Sequence, residues 1–131
     1  MSIFHNTKEI GDFGETRAVH YLRLRGYTVR ERNWRHGKGE LDIIASTPRY
    51  LAFVEVKTRS YDPAAAEIAP PPGTAVRADK KRLTRQTAQA YLHLHPTKKI
   101  PRMDVIEIFL EKTEPHKKPK VFKINHIKGA Y

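Results

Sequence analysis

The sequence predicts an α/β fold: a mixed central sheet flanked by helices, built in the order helix, three strands, helix, two strands. Three observations predict it. Apolar residues recur at helical spacing in two stretches, closed by Gly26 and Pro96. Period-two alternation fills the segments after each of them. Between residues 40 and 58 the hydrophobic pattern fits a single hairpin register.

The first helix is predicted from about Lys8 to Arg25. Asn6 is placed to cap it, with Glu9 three residues on as in a capping box, and Gly26 stops it. Ile10, Gly14, Ala18, Tyr21 and Leu22 share one face, with Arg17 inside the arc. Glu15 falls at the edge of that arc beside Val19 and Leu22, an unusual place for an acid. Tyr27 to Arg32 reads as the first strand, and His36-Gly37-Lys38-Gly39 as a turn. Strands from Glu40 to Ala45 and from Leu51 to Thr58 follow, joined antiparallel through Ser46-Thr47-Pro48-Arg49-Tyr50. Tyr61 to Thr74 holds four of the nine prolines and is predicted as an irregular loop within one domain spanning residues 1–131. The second helix, about Ala78 to Leu94, sets Leu83, Thr87, Ala90, Tyr91 and Leu94 against Arg77, Lys80, Lys81 and Arg85. Two last strands, Pro101 to Leu110 and Lys120 to Ile127, flank a charged turn with Pro115 and Pro119.

Composition bounds the chemistry. Lysine plus arginine number 25 against 14 acids, a formal charge of +11. Such a surface suits a polyanion: nucleic acid, the ribosome or an acidic lipid surface, with no choice among them from charge alone. The absence of cysteine excludes a disulfide framework, a thiol nucleophile, iron–sulfur ligation and thiolate zinc, and is compatible with a reducing cytosol. No apolar run reaches the ~18–20 residues of a membrane span, and residues 1–10 lack a signal-peptide layout, so the expected location is cytoplasmic. Neither a phosphate-binding glycine–lysine loop nor a dinucleotide glycine pattern occurs.

The chemistry concentrates in the hairpin. With the turn centred between Pro48 and Arg49, Glu40 faces Lys57, Asp42 faces Glu55 and Ile44 faces Phe53. The alternate residues, Leu41, Ile43, Ala45, Ala52, Val54 and Val56, are wholly apolar, as a core face requires. Opposed residues have β-carbons about 4.5–5.5 Å apart, so Asp42 and Glu55 would repel unless a cation joins them. A hard divalent ion such as Mg²⁺ suits two carboxylates, and Lys57 on the same face is placed to polarise water or stabilise a phosphate. Glu15 is positioned to complete the set from the helix. The same pattern also describes a solvated strand face with a Glu40–Lys57 cross-strand pair.

Asp42 followed by Glu55-Val56-Lys57, after a helix bearing Glu15, resembles the PD-(D/E)xK nuclease signature of the restriction-endonuclease-like superfamily. More narrowly, Gly14-Glu15, Gly26-Tyr27, Asn33, Arg35, Gly39-Glu40-Leu41-Asp42, Phe53 to Arg59 and Arg102-Met103-Asp104 resemble the YraN-like family of predicted nucleases, related to archaeal Holliday-junction resolvases. The resemblance spans roughly Gly11 to Asp104. It implies a restriction-endonuclease-like core, with Asp42, Glu55, Glu15 and the Val56 backbone carbonyl as ligands of Mg²⁺, for which Mn²⁺ substitutes, and Lys57 as the catalytic lysine. The chain departs from the superfamily in having no proline before Asp42 and an expanded 61–74 stretch.

The expected function is therefore metal-dependent hydrolysis of phosphodiester bonds in branched or junction-like DNA, with Asp42, Glu55 and Lys57 catalytic. Glu40 and Asp104 are candidates to support the site from behind, Asp104 having a turn or salt-bridge role as its alternative. Arg30, Arg32, Arg35, Arg59, Lys80, Lys81 and Arg85 are candidates to grip the strand. A homodimer is expected by analogy with the resolvases. The rival expectation is a non-catalytic nucleic-acid or ribosome binding module on a degenerate nuclease scaffold. Trp34 is expected to pack against the first helix, with base stacking as its alternative.

Overall fold

The structure, a computed structural model, describes residues 7–62, 67–68, 78–111 and 119–131. Helix α1 is Thr7–Leu24, followed by strands β1 Thr28–His36, β2 Gly39–Ser46, β3 Tyr50–Asp62 and the two-residue β4 Glu67–Ile68. Then come helix α2 Ala78–Leu94, β5 Ile100–Glu111 and β6 Lys120–Ile127. The sheet runs β1-β2-β3-β5-β6, with β4 appended to β3. Every pairing is antiparallel except β3 with β5, which run parallel from Tyr50↔Ile100 to Tyr61↔Glu111. Helix α2 lies in the crossover between them, as a parallel pair requires. This is the mixed α/β architecture expected, consistent with a restriction-endonuclease-like core.

Helix α1 ends where the glycine predicts. Gly26 has φ +88°, and the Tyr27 N–H donates to the Leu22 carbonyl at 3.0 Å while the Gly26 N–H donates to the Arg23 carbonyl at 3.1 Å. This is the paired closure of a left-handed cap, and Leu22 and Tyr27 both enter the core beside it. Asn6, the expected cap at the other end, lies outside the described residues, as do Pro115 and most of the 61–74 stretch. What is described of that stretch is strand: β3 continues through Asp62, and Tyr61 and Asp62 pair with Ile68 and Glu67.

Two cores sandwich the sheet. On one face α1 lays Ala18, Val19 and Leu22 over Ile43, Ala45, Ala52, Val54, Ile106, Ile108 and Leu110. On the other, Ala88 and Tyr91 of α2 pack on Leu41, Ile44, Leu51 and Phe53. Glycine governs how closely each helix approaches: a β-carbon on Gly14 would overlap the Thr58 hydroxyl, and one on Gly39 the Thr87 hydroxyl. The buried face of α2 is rotated from the expected one, comprising Thr84, Thr87, Ala88 and Tyr91, while Leu83 and Leu94 are 38% and 58% exposed. The two threonine hydroxyls bond back to the carbonyls of Lys80 at 2.8 Å and Leu83 at 2.7 Å, so burying them leaves no donor unmet.

The hairpin register is the expected one from Ile43↔Val54 to Ser46↔Leu51, but pairing stops there. Asp42 and Glu55 are not a ladder pair, because the strands part beyond Ile43 and Val54. Leu41 also departs, packing on the α2 side with Ile44 and not with Ile43. The cause lies in β1. Asn33, opposite Asp42 by register, is left-handed at φ 52°, and this reverses the side-chain alternation after Arg32. Trp34 consequently packs toward α2, edge-on to Tyr91 at 5.2 Å, and not against α1 as expected.

Candidate active site

The parting of β2 and β3 creates the site. Where a ladder carbonyl would have stood, the Asp42 carboxylate accepts the Val56 N–H at 2.9 Å. Beside it Glu55 is only 7% exposed and meets two ammonium groups: Lys57 Nζ lies 3.0 Å from Oε2 and Lys80 Nζ 3.4 Å from Oε1. Lys57 comes from the same strand and Lys80 from the first turn of α2. Glu55 Oε2 is excluded from water and pairs with Lys57 by charge, yet it has no partner in hydrogen-bond geometry. A cleft of about 190 Å³ opens here, lined by Lys38, Glu40, Asp42, Glu55, Lys80 and Thr84 among others.

Three carboxylates feel one another. Burial raises the Asp42 carboxyl above its ordinary range and repulsion from Glu55 adds to this, while the Val56 N–H and Lys80 oppose it. Glu15 is raised by burial and then by Asp42; Arg32 and a side-chain hydrogen bond with Asn33 act the other way. The kink at Asn33 thus brings Asp42 within reach of Glu15 from the α1 side and of Lys80 from the α2 side. Asn33 was absent from the expected site residues. Asparagine is among the few residues tolerating φ > 0, but its sequence neighbourhood gave no sign that the site would use this.

The donor chemistry fits a hard divalent ion. Asp42 and Glu55 offer carboxylate oxygens, one without a hydrogen-bond partner, and the charge of Glu55 adds to the upward shift of the Asp42 carboxyl. Among the described residues, however, no group of three His, Cys, Asp or Glu side chains forms a ready cation cage. Lys57 and Lys80 instead supply the positive charge around Glu55.

The remaining expected residues divide. Glu40 lines the cleft and pairs with Arg35 at its rim. Arg32 reaches Thr16 Oγ1 at 3.4 Å, near Glu15. Lys81 and Arg85 stand one helical turn apart over the ring of Tyr131. Arg30 is at the opposite end of β2, bonded to Ser46 Oγ at 2.8 Å, away from the carboxylates. Arg59 is buried and pairs with Glu107 at 3.2 Å, so it serves the core. Asp104 is wholly buried and does not border the cleft. It accepts two bonds from Arg102 at 2.8 Å, one from His126 Nε2 at 2.7 Å and one from the Gly129 N–H at 3.1 Å. Burial alone would raise its carboxyl, but His126, Arg102 and Gly129 together hold it below the ordinary value.

Comparison with known proteins places the chain in a wider group. The uncharacterised protein family UPF0102 matches residues 14–108, a stretch containing Glu15, Asp42, Glu55 and Lys57. A UPF0102 protein of Bacteroides thetaiotaomicron is 40% identical over 127 residues, covering 97% of this chain and 93% of that one. One from Clostridium botulinum strain Hall is 40% identical over 120 residues (88% and 92% covered), and one from Caldicellulosiruptor bescii 37% identical over 128 residues (96% and 99%).

Proposed function

The chain belongs to the uncharacterised protein family UPF0102, and from that premise we propose that it is a metal-dependent endonuclease hydrolysing phosphodiester bonds in branched DNA. The observation that carries the reading is the opening between β2 and β3, where Asp42 and the buried Glu55 lie beside Lys57 and Glu55 Oε2 accepts no hydrogen bond. Asp42 and Glu55 would hold Mg²⁺ or Mn²⁺, assisted by Glu15 and the Val56 carbonyl. When bound, such an ion supplies Lewis acidity toward phosphate and water. The chain's own residues do the rest. Lys57 orients the attacking water and stabilises charge developing on the phosphate. Asn33 and Arg32 hold Glu15 toward Asp42, and Lys80 and Lys38 line the cleft as cations for the backbone. Supporting a nucleic-acid substrate is the formal charge of +11. The preference for branched DNA and a homodimer that would match paired scissile positions come from the resemblance to junction resolvases, and the cytoplasmic setting from the cysteine-free composition.

The test is cleavage of labelled four-way-junction and flap DNA with Mg²⁺ or Mn²⁺. Cutting is expected, and Asp42→Ala and Lys57→Ala are each expected to abolish it while leaving binding intact. A protein that binds these substrates but cuts neither them nor single-stranded or duplex DNA with either metal would instead be a binding module on a nuclease scaffold.

A further inference from the structure

Beyond the carboxylate cleft, a second feature points to the strand. β6 is followed by a short segment that turns back across the sheet. Gly129, at φ +61°, makes that turn; its N–H is held by Asp104 Oδ1 at 3.1 Å, and the Ala130 N–H by the Met103 carbonyl at 2.7 Å. The buried Asp104 thereby directs the next residue, Tyr131, onto α2. There the Tyr131 hydroxyl lies beside Thr84, a residue that also lines the cleft. Its ring lies 5.5 Å from Lys81 Nζ and 5.4 Å from Arg85 Cζ.

Lys81 and Arg85 are four residues apart on one helix face, a spacing at which like charges repel. Neither has a carboxylate partner among the described residues. The aromatic ring within cation–π reach of both offers the negative face that makes their neighbouring positions tolerable. Two cations held side by side and unneutralised, next to a cleft, are the recognition chemistry of a backbone phosphate.

We infer that Lys81, Arg85 and Tyr131 form a second subsite, which binds a backbone phosphate of the strand adjacent to the one presented to Asp42 and Glu55. Lys81 and Arg85 contact the phosphate. Tyr131 is a positioning residue that keeps the two cations together. The inference rests on the nucleic-acid part of the reading above and not on turnover. Tyr131 lies beyond the residues 14–108 matched by the family model.

The experiment is fluorescence anisotropy of single-stranded and flap DNA with the full chain in EDTA, where no cutting occurs, across a series of salt concentrations. Each phosphate contact contributes a slope of about −0.7 for single strands in log K against log salt. The Lys81→Gln/Arg85→Gln variant is expected to weaken binding at least tenfold at low salt and to flatten the slope by about 1.4, the loss of two contacts. Tyr131→Leu is expected to weaken binding several-fold with a shallower slope, and Tyr131→Phe, which keeps the ring, to restore both. Circular dichroism at 222 nm establishes that each variant is folded; if one is not, the single substitutions Lys81→Gln and Arg85→Gln, each at an exposed or half-buried position, give the same readout at half the size. An unchanged slope in the cation variants overturns the subsite. A slope that falls in Tyr131→Leu and is not recovered in Tyr131→Phe overturns the role of the ring. A protein that never cuts DNA yet shows the expected slopes retains the subsite and loses only the nuclease reading.

Discussion

Replacing Gly14 by alanine tests the close approach that sets Glu15 beside the opened strands. Alanine in a helix interior is favoured over glycine by about 0.8–1.0 kcal/mol. At Gly11, where an added β-carbon meets nothing within 4 Å, that gain should appear undiminished. For a chain of 131 residues it corresponds to a rise of roughly 3–5 °C in Tm. At Gly14 the same methyl would overlap the Thr58 hydroxyl, with the Thr58 β-carbon 3.2 Å away and Cγ2 3.3 Å. Overpacking of this kind costs about 1–3 kcal/mol. Subtracting the helix gain leaves about 0–2 kcal/mol of destabilisation, so Tm should stay level or fall by several degrees. The two substitutions are three residues apart in one helix, and the difference between them isolates the contact with Thr58. In a Thr58→Ala background, which removes Oγ1 and Cγ2, at least half of the penalty should disappear. Thermal unfolding followed at 222 nm measures the parent, the three single variants and the double variant. If Gly14→Ala gains as much as Gly11→Ala, α1 does not close on β3, and the placement of Glu15 at the site fails with it.

Other expectations follow from charge. Asp42 and Glu15 have carboxyls raised above their ordinary 3.8 and 4.5, so protonation favours the folded state: their stabilisation is complete below those values and is lost as pH rises through the raised ones. Asp42→Asn should therefore flatten the decline in stability between about pH 4 and neutrality in metal-free protein; urea titrations across that range with matching slopes for variant and parent would argue against the reading. Asp104 behaves oppositely. Its carboxyl is held below 3.8, so its contribution is present above that value and is lost as pH falls further. Asp104→Asn, leaving Arg102 and His126 with a buried partner that has lost its charge, should cost about 3–5 kcal/mol near neutrality and remove the steep acid limb. A variant as stable as the parent would refute this. Lys80→Gln withdraws a half-exposed cation from Glu55, and Mn²⁺ should then bind about 1.5–5-fold tighter, the scale of an exposed ion pair. Isothermal titration showing equal or weaker affinity would mean that Lys80 does not compete with metal.

Much of this fold was legible because its cues are local. The second helix and the last strand have the predicted bounds, and the hairpin register follows from alternation between Ile43 and Val54. The site was legible as far as its residues, since an acid and an E-x-K in an apolar setting stand out. What alternation could not reveal is where it breaks. The left-handed backbone at Asn33 is a tertiary choice, rewarded by the hydrogen bond to Glu15 and by Trp34 reaching Tyr91. The same applies to α2, where hydropathy favoured Leu83 and Leu94, while the space left by Gly39 admitted Thr87, whose hydroxyl, like that of Thr84, is satisfied within the helix. Tyr131 gave no signal at all. Its place depends on a turn 25 residues after Asp104 in sequence.

The outer border of the sheet has a practical consequence. Among the described residues β1 has β2 on one side only, and an unpaired strand flank is a template for another molecule's backbone. Here it is interrupted by a register shift between Val29 and Glu31, bent at Asn33 and studded with Arg30, Arg32 and Arg35. The arginines considered for gripping a polyanion therefore also act as gatekeepers against aggregation. Neutralising several of them together would invite self-association, and weakened DNA capture by such a protein reports on recognition only if the sample is still dispersed.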